Sequence, residues 1–323
     1  MGKILVTGGA GFIGSHVIER LLARGDAVVC LDNFNDYYDP RVKRANLQDA
    51  SDHRGFSLVE GDIEDRAAVE GVFETHGIDR VVHLAARAGV RPSIQDPVAY
   101  FATNVTGTVN LLEACRAREI RPFVFASSSS VYGECTEAPF REDFKIDAPV
   151  SPYAASKKAG ELITYTYHHL FGLNVRCLRF FTVFGPRQRP EMAIHQFVRA
   201  IDRGEKIKMF GDGETSRDYT YVDDVVAGVI GSLDHCAAGG TPSYGIYNLG
   251  RSDPVKLCDL IDGISKALGK SAEIERLPMQ AGDVSHTFAD VSRAREDFGY
   301  APRVSLVEGL RRFVQWYRER ATE

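Results

Sequence analysis

A tyrosine and a lysine stand four residues apart in Ser151-Pro152-Tyr153-Ala154-Ala155-Ser156-Lys157. A free phenol keeps its proton up to about pH 10, so Tyr153 can take a proton from an alcohol near neutrality only beside positive charge. Lys157 brings that charge to the same face if the segment is a helix, where residues i and i+4 are neighbours. Ser151 suits an N-cap and Pro152 the first helical position, so a helix is predicted to begin here. An incidental pair on an exposed helix would look the same in isolation, and the surrounding chain has to decide between the two.

A second cluster is Ser127-Ser128-Ser129-Ser130, directly after the apolar run 122–126. If that run is a strand, the hydroxyls open at its carboxyl end, and one of them can hydrogen-bond both a substrate oxygen and the tyrosine. Four serines can also form a flexible polar turn. Their position just before Val131-Tyr132-Gly133 favours the functional reading.

The third cluster is Thr7-Gly8-Gly9-Ala10-Gly11-Phe12-Ile13-Gly14, between the strand-like run 3–7 and an apolar stripe of helical period, Ile13, Val17, Ile18, Leu21 and Leu22. A tight turn, close approach of backbone to a pyrophosphate, and close packing of helix on strand each call for a residue without a side chain, at Gly8, Gly11 and Gly14. The amides and dipole of the helix start, with Phe12 and Ile13 at its mouth, would then meet the diphosphate. Asp32 lies 18 residues beyond Gly14. There a carboxylate accepts hydrogen bonds from the adenosine ribose and repels the extra phosphate of NADP. NAD is therefore the expected cofactor, with the adjacent Asn33, and Asp62, Ile63, Leu84, Ala85 and Ala86 at the ends of later strands, as further contacts. Asp62 either meets the adenine or caps a helix ahead of Glu64 and Asp65.

These clusters need a frame to hold them. The runs 3–7, 27–31, 56–59, 80–84, 122–126 and 175–180 read as strands alternating with helical patterns. That rhythm predicts an α/β fold, a doubly wound, Rossmann-like parallel sheet. Beyond about residue 185 the pattern breaks into short elements and loops, 185–190, 211–218, 237–243 and 278–283, with a return to the sheet at 246–249 and a closing helix at 305–320. The expected division is an NAD-binding domain over 1–181, with returns near 218–250, and a smaller, interleaved C-terminal substrate domain over 182–323.

Composition bounds the partners. Thirty-nine basic against 44 acidic residues give a formal charge of -5, so no global field attracts nucleic acid or an anionic membrane. An anionic ligand must be held by local cations and amides. Six cysteines without a C-x-x-C pair point to a reducing, cytoplasmic setting without a zinc site. His83, His168 and His169 lack partners at ligand spacing, so no metal is expected. No apolar run reaches the roughly 18 residues of a membrane helix, and the first residues lead straight into the first strand, so no signal peptide is expected.

The motifs T-G-G-A-G-F-I-G, S-S-S-S-V-Y-G, Y-A-A-S-K, R-F-F-T-V-F-G-P-R and S-R-D-Y-T-Y-V-D-D follow one another in this order. With them the chain resembles the extended short-chain dehydrogenase/reductase family over nearly its whole length, and within it the nucleotide-sugar epimerases, most of all those acting on UDP-glucuronate. The resemblance implies an active-site Ser128, Tyr153 and Lys157, with Asn104 supporting the site behind the tyrosine. It also implies tightly held NAD, a UDP-sugar substrate, and a homodimer formed through a helix bundle that includes the Tyr153 helix.

Departures within that family narrow the chemistry. Related decarboxylases and dehydratases carry an acid where this chain has Ser130, and the dehydratases usually an Asp where it has Ser129. Without those carboxyls the proton transfers of elimination are missing, which leaves epimerisation. Thr182 stands where hexose epimerases have Asn. Together with Ser129 and Ser130 it either lines a hydroxyl pocket for a sugar carboxylate or merely fills space. Arg187, Arg189 and Arg217 are candidate diphosphate anchors or solvated surface charges. Lys208 and Phe210 resemble the segment that cradles the base. Gln280 replaces an Arg common in the family, while Asp283 remains a ribose acceptor. The expected reaction is inversion at carbon 4 of UDP-glucuronate; the alternative is the same inversion on UDP-glucose or a UDP-N-acetylhexosamine. A non-catalytic NAD-sensing module would have no need of Tyr153 and Lys157 beside the serines.

Overall fold

The computed structural model describes residues 2–278 and 284–321; Gln280 and Asp283 lie outside the described residues. In chain order the strands are β1 (Lys3–Thr7), β2 (Val28–Asp32), β3 (Phe56–Glu60), β4 (Ile78–His83), β5 (Pro122–Ser128) and β6 (Asn174–Phe180). There follow β7 (Thr182–Phe184), β8 (Ile207–Phe210), β9 (Ser216–Tyr221), β10 (Tyr244–Leu249), β11 (Pro254–Lys256) and β12 (Ile274–Leu277). Seven of them form a parallel sheet in the order β10-β6-β5-β4-β1-β2-β3.

Alternate residues of the same strands feed two separate cores. Ile4, Val6, Val28, Cys30, Val82 and Val124 pack on one face. Leu5, Val29, Leu31, Val81, Phe123 and Phe125 pack on the other. A strand covered on both sides must be apolar at every position, which is why these runs read as continuous rather than alternating. Strand order reverses between β1 and β4, and at such a switch the carboxyl ends of the strands open a crevice.

Two small sheets, β11-β9-β7 and β12-β8, lie outside the main one. The loop expected at 211–218 gives way to β9 from Ser216 onward, because its Ser216 to Asp218 pair with β11. Strand β5 likewise runs on through Ser127 and Ser128, which pair with Arg179 and Phe180 of β6. Serine is a poor strand former, but here the polar side chains are satisfied: Ser127 Oγ donates to Glu161 Oε1 at 2.7 Å. The closing helix spans Leu306–Ala321.

Glu161 belongs to a buried network. It accepts from Nε and Nη2 of Arg179 at 2.8 and 2.9 Å, and both side chains are 1% exposed. Arg179 Nη1 donates to Tyr132 Oη at 2.9 Å, and Tyr132 in turn to Asn248 Oδ1 at 2.7 Å. Asn248 Nδ2 reaches the carbonyls of Phe140 and Asp290. One chain of hydrogen bonds thus ties the serine-bearing strand end to β6, β10 and the later loops. Among the described residues no helix is long and apolar enough to cross a membrane.

Candidate active site

A cavity of about 400 Å³ opens at the reversal point. The glycine turn forms one wall. Gly8 has φ +67°, and a Cβ there would lie 2.7 Å from the backbone of Ala85. A Cβ on Gly14 would sit 2.3 Å from the Gly8 carbonyl oxygen. The turn is thus closed to side chains and leaves amides at the start of the helix Phe12–Ala23 facing the cavity. Gly14→Ala is expected to destabilise the protein by about 1–3 kcal/mol through overpacking and to yield protein without NAD, read from the absorbance of the purified sample.

At one end of this cavity Asp32 is 7% exposed and accepts from the amides of Ala10 (3.1 Å) and Phe34 (2.9 Å). Burial raises its pKa, against the pull of those amides and of Lys43, whose Nζ is 4.0 Å away. Asn33 Nδ2 donates to Asp62 at 2.7 Å. Asp62 accepts the Glu64 amide, while the cap of the next helix, Arg66–Thr75, is Asp65. The alternative of Asp62 as helix cap therefore falls away, and its carboxylate stays on the cavity wall beside Ile63.

At the other end lie Ser128, Ser129, Ser130, Tyr153, Lys157 and Thr182. Ser151 caps the helix Pro152–Phe171 by accepting the Ala154 amide, with Pro152 in the first turn, so Tyr153 and Lys157 share a face as expected. Lys157 Nζ donates to the Ala126 carbonyl at 2.8 Å. Burial lowers its pKa to about 7. Burial also raises that of Tyr153, while hydrogen bonding to Ser128 and the charge of Arg189 draw it back. Ser128 Oγ donates to Ser130 Oγ at 3.1 Å. Asn104 lies behind the wall in a π-helical turn, Ala102–Thr106, bonded to both N and O of Arg87 and to Ser156 Oγ. It ties the loop after β4 to the tyrosine helix.

The lysine has a measurable signature. Its folded pKa, about 7, lies below its ordinary 10.5, so folding is penalised while the amine is charged, and the penalty fades as pH rises from about 7 toward 10. Cofactor-free Lys157→Met is expected to be more stable than wild type at pH 6 to 7, on the order of a few kcal/mol. That advantage should shrink steadily to about pH 10 in parallel denaturation curves; a constant difference would refute the assignment.

A second cavity of about 280 Å³ is lined by Lys208, Phe210 and Arg217, together with residues outside the sequence expectations: Arg91, Gln188 and Tyr219. Arg91 lies over the Phe210 ring at 5.4 Å, leaving a flat aromatic-cationic surface of the kind a base stacks on. Arg189 lines the first cavity instead, 5.5 Å from the Tyr37 ring and paired with Glu191 at 3.0 Å. Arg187 lines neither cavity. Its Nη2 binds Glu19 of the glycine-turn helix at 2.6 Å, from a left-handed backbone of φ +66°. Arg187 thus braces that helix through Nη2, while its Nη1 is buried without a hydrogen-bond partner among the described residues.

Sequence reasoning also passed over Tyr37, Lys43 and Arg87 on the first cavity. Four buried side-chain atoms lack a hydrogen-bond partner among the described residues: Arg87 Nε and Gln188 Oε1, which belong to cavity-lining residues, and Asn46 Oδ1 and Arg187 Nη1, which do not; the first two are placed to meet a ligand. The closed glycine cradle, the Asp32 carboxylate and the Arg87 cation together fit an elongated dinucleotide. His83 is a core residue held by Thr7 and Thr108, its pKa pushed down to about 3 by burial and then by Lys157. Among the described residues no cluster of three His, Cys, Asp or Glu could hold a metal ion.

Residues 4–250 match the NAD dependent epimerase/dehydratase family, and the chain belongs to that family. A UDP-glucuronate 4-epimerase of Thermodesulfobacterium geofontis (strain OPF15) is 44% identical, over 99% of this chain and 97% of its own length. UDP-glucuronate 4-epimerase 1 of Arabidopsis thaliana is 46% identical over 98% of this chain and 76% of its own. The crystal structure of UDP-glucuronic acid 4-epimerase from Bacillus cereus, in complex with UDP-glucuronic acid and NAD, superposes with a TM-score of 0.91 at 36% identity, covering 98% of this chain and 99% of that one.

Proposed function

We propose that the protein uses NAD to invert carbon 4 of UDP-glucuronate, giving UDP-galacturonate. The observation that carries this reading is that the first cavity, holding Ser128, Tyr153 and Lys157, adjoins the cavity holding Lys208, Phe210 and Arg217, with Thr182 on both. A sugar nucleotide with its base on Phe210 and its diphosphate near Arg217 would place the hexose at the tyrosine. Relatives named for this reaction and alike over nearly the whole chain support it.

Bound in the first cavity, NAD supplies reversible hydride exchange and ends each cycle in its starting form. Tyr153 removes the proton of the 4-hydroxyl, with Ser128 bonded to the same oxygen and the Lys157 charge favouring the phenolate. The 4-keto sugar turns about its diphosphate linkage and presents its other face, and Tyr153 returns the proton. A 4-keto uronic acid loses carbon dioxide when its carboxylate bond aligns with the carbonyl π-system. Hydroxyls of Ser129, Ser130 and Thr182 hold the carboxylate out of that alignment.

In this reading residues 1–181, with returns at 218–250, serve the cofactor, and 182–323 mainly the sugar nucleotide. Leu162, Tyr165 and Leu170 are 57%, 50% and 61% exposed on one side of the tyrosine helix, which supports pairing of two copies through that face; light scattering tests it. Six free cysteines suit a cytoplasmic setting. The decisive experiment is incubation of purified protein with UDP-glucuronate, followed by NMR. UDP-galacturonate is expected; a UDP-pentose as the main product, or turnover of UDP-glucose alone, would overturn the reading.

A further inference from the structure

Epimerisation asks one thing of a site beyond proton transfer: the sugar must present both faces to the same tyrosine while its nucleotide stays in place. With the nucleotide in the second cavity and the cofactor in the first, the ring turns in the neck between them. Among the described residues, Thr182 and Met192 border both cavities. They differ in what they can do. Thr182 is β-branched and begins β7, paired with Tyr219, so its side chain is a stiff wall. Met192 has a fixed backbone too: its amide donates to the Arg189 carbonyl at 3.1 Å and its carbonyl accepts from Gln196 at 2.9 Å, at the start of the helix Ala193–Arg203. Its side chain, however, is unbranched and half-buried, with torsions that adapt to a changing neighbour.

The thioether sits 3.4 Å from Arg189 Nη2. Arg189 is itself held by Glu191 and lies over the Tyr37 ring, so the methionine can swing away without releasing the arginine from its place. From this geometry, and resting on the epimerase reading above, we infer that Met192 is the yielding wall of the neck: the residue whose flexibility sets how fast the 4-keto sugar turns over between its two orientations.

The test compares wild type with Met192→Ile, which stiffens the wall, and Met192→Gln, which keeps its length and freedom. UDP-glucuronate with hydrogen or deuterium at carbon 4 is the substrate, and reduced cofactor is followed by its near-ultraviolet absorbance during turnover. Met192→Ile is expected to lower kcat about tenfold, because a β-branched side chain stiff at χ1 cannot yield to the turning ring, with KM little changed. Reduced cofactor should accumulate in the steady state, and the isotope effect on kcat should fall toward unity, because turning rather than bond cleavage then limits the cycle. Met192→Gln should keep wild-type turnover without accumulation. Met192→Leu should repeat the isoleucine pattern in weaker form, and it carries the test if the isoleucine variant does not fold. A Met192→Ile enzyme without accumulation and with an undiminished isotope effect overturns the inference, as does a loss confined to KM or the isoleucine pattern in Met192→Gln. Failure of the underlying reading would show elsewhere, as wild-type protein forming no UDP-galacturonate.

Discussion

Tyr153→Phe is expected to lower kcat for UDP-glucuronate by about 10²- to 10⁴-fold, the range a positioned acid-base group contributes, while leaving the fold and nucleotide binding nearly intact. The ring that the variant keeps is the part that packs, edge-on to Tyr100 with centroids 6.2 Å apart. Ser128 loses one partner but retains Ser130. Calorimetry with UDP and a thermal melt should therefore match wild type while NMR of the product stays flat. Full activity in the variant would remove Tyr153 from the mechanism and leave the serines and the lysine to explain turnover.

Arg179→Leu should cost the most stability. Glu161, 1% exposed, would lose both bidentate bonds and keep only the Ser127 hydroxyl at 2.7 Å and the more distant Lys158 Nζ at 3.5 Å. Removing one partner of such a buried pair costs about 3–5 kcal/mol. Urea denaturation of the variant, of Glu161→Gln and of the double substitution forms a cycle, and the double is expected to be less unstable than the sum of the singles. Because Ser127 also bonds Glu161, the strand end that presents Ser128 should loosen, and kcat should fall along with stability. Additive effects in the cycle would mean that the pair is not coupled as its geometry implies.

The parts legible in the sequence were those whose signals are local. The glycine turn, its strand and its helix obey short-range steric demands, and β1 falls on the expected residues 3–7. The cap at Ser151 and the first-turn Pro152 announce their helix directly. From that helix the Tyr153 and Lys157 placement follows by periodicity alone.

What escaped was set by contacts between distant segments. The sequence ends the fifth strand at Ala126, ahead of Ser127 and Ser128, since nothing nearby says that Glu161, 34 residues on, satisfies Ser127 in a strand. Arg187 and Arg189 are two positions apart and equally cationic, yet with a positive φ at Arg187 one meets Glu19 and the other lies over the Tyr37 ring. Met192, Arg87 and Arg91 carry no motif, and their importance arises only where two cavities meet or a wall closes. Tyr37 acts from a segment with no recognised pattern, donating to the Ala88 carbonyl at 2.8 Å.

With ligands gathered at the carboxyl ends of the parallel strands, the amino-end rim is left with turns alone. Gly25 and Gly77, just ahead of β2 and β4, have no atom within 4 Å of where a Cβ would stand. Extra chain spliced in at either turn would extend from the rim farthest from the catalytic tyrosine. A fluorescent reporter or an affinity handle placed there, rather than in the loops after the strands, would leave the enzyme's working edge free.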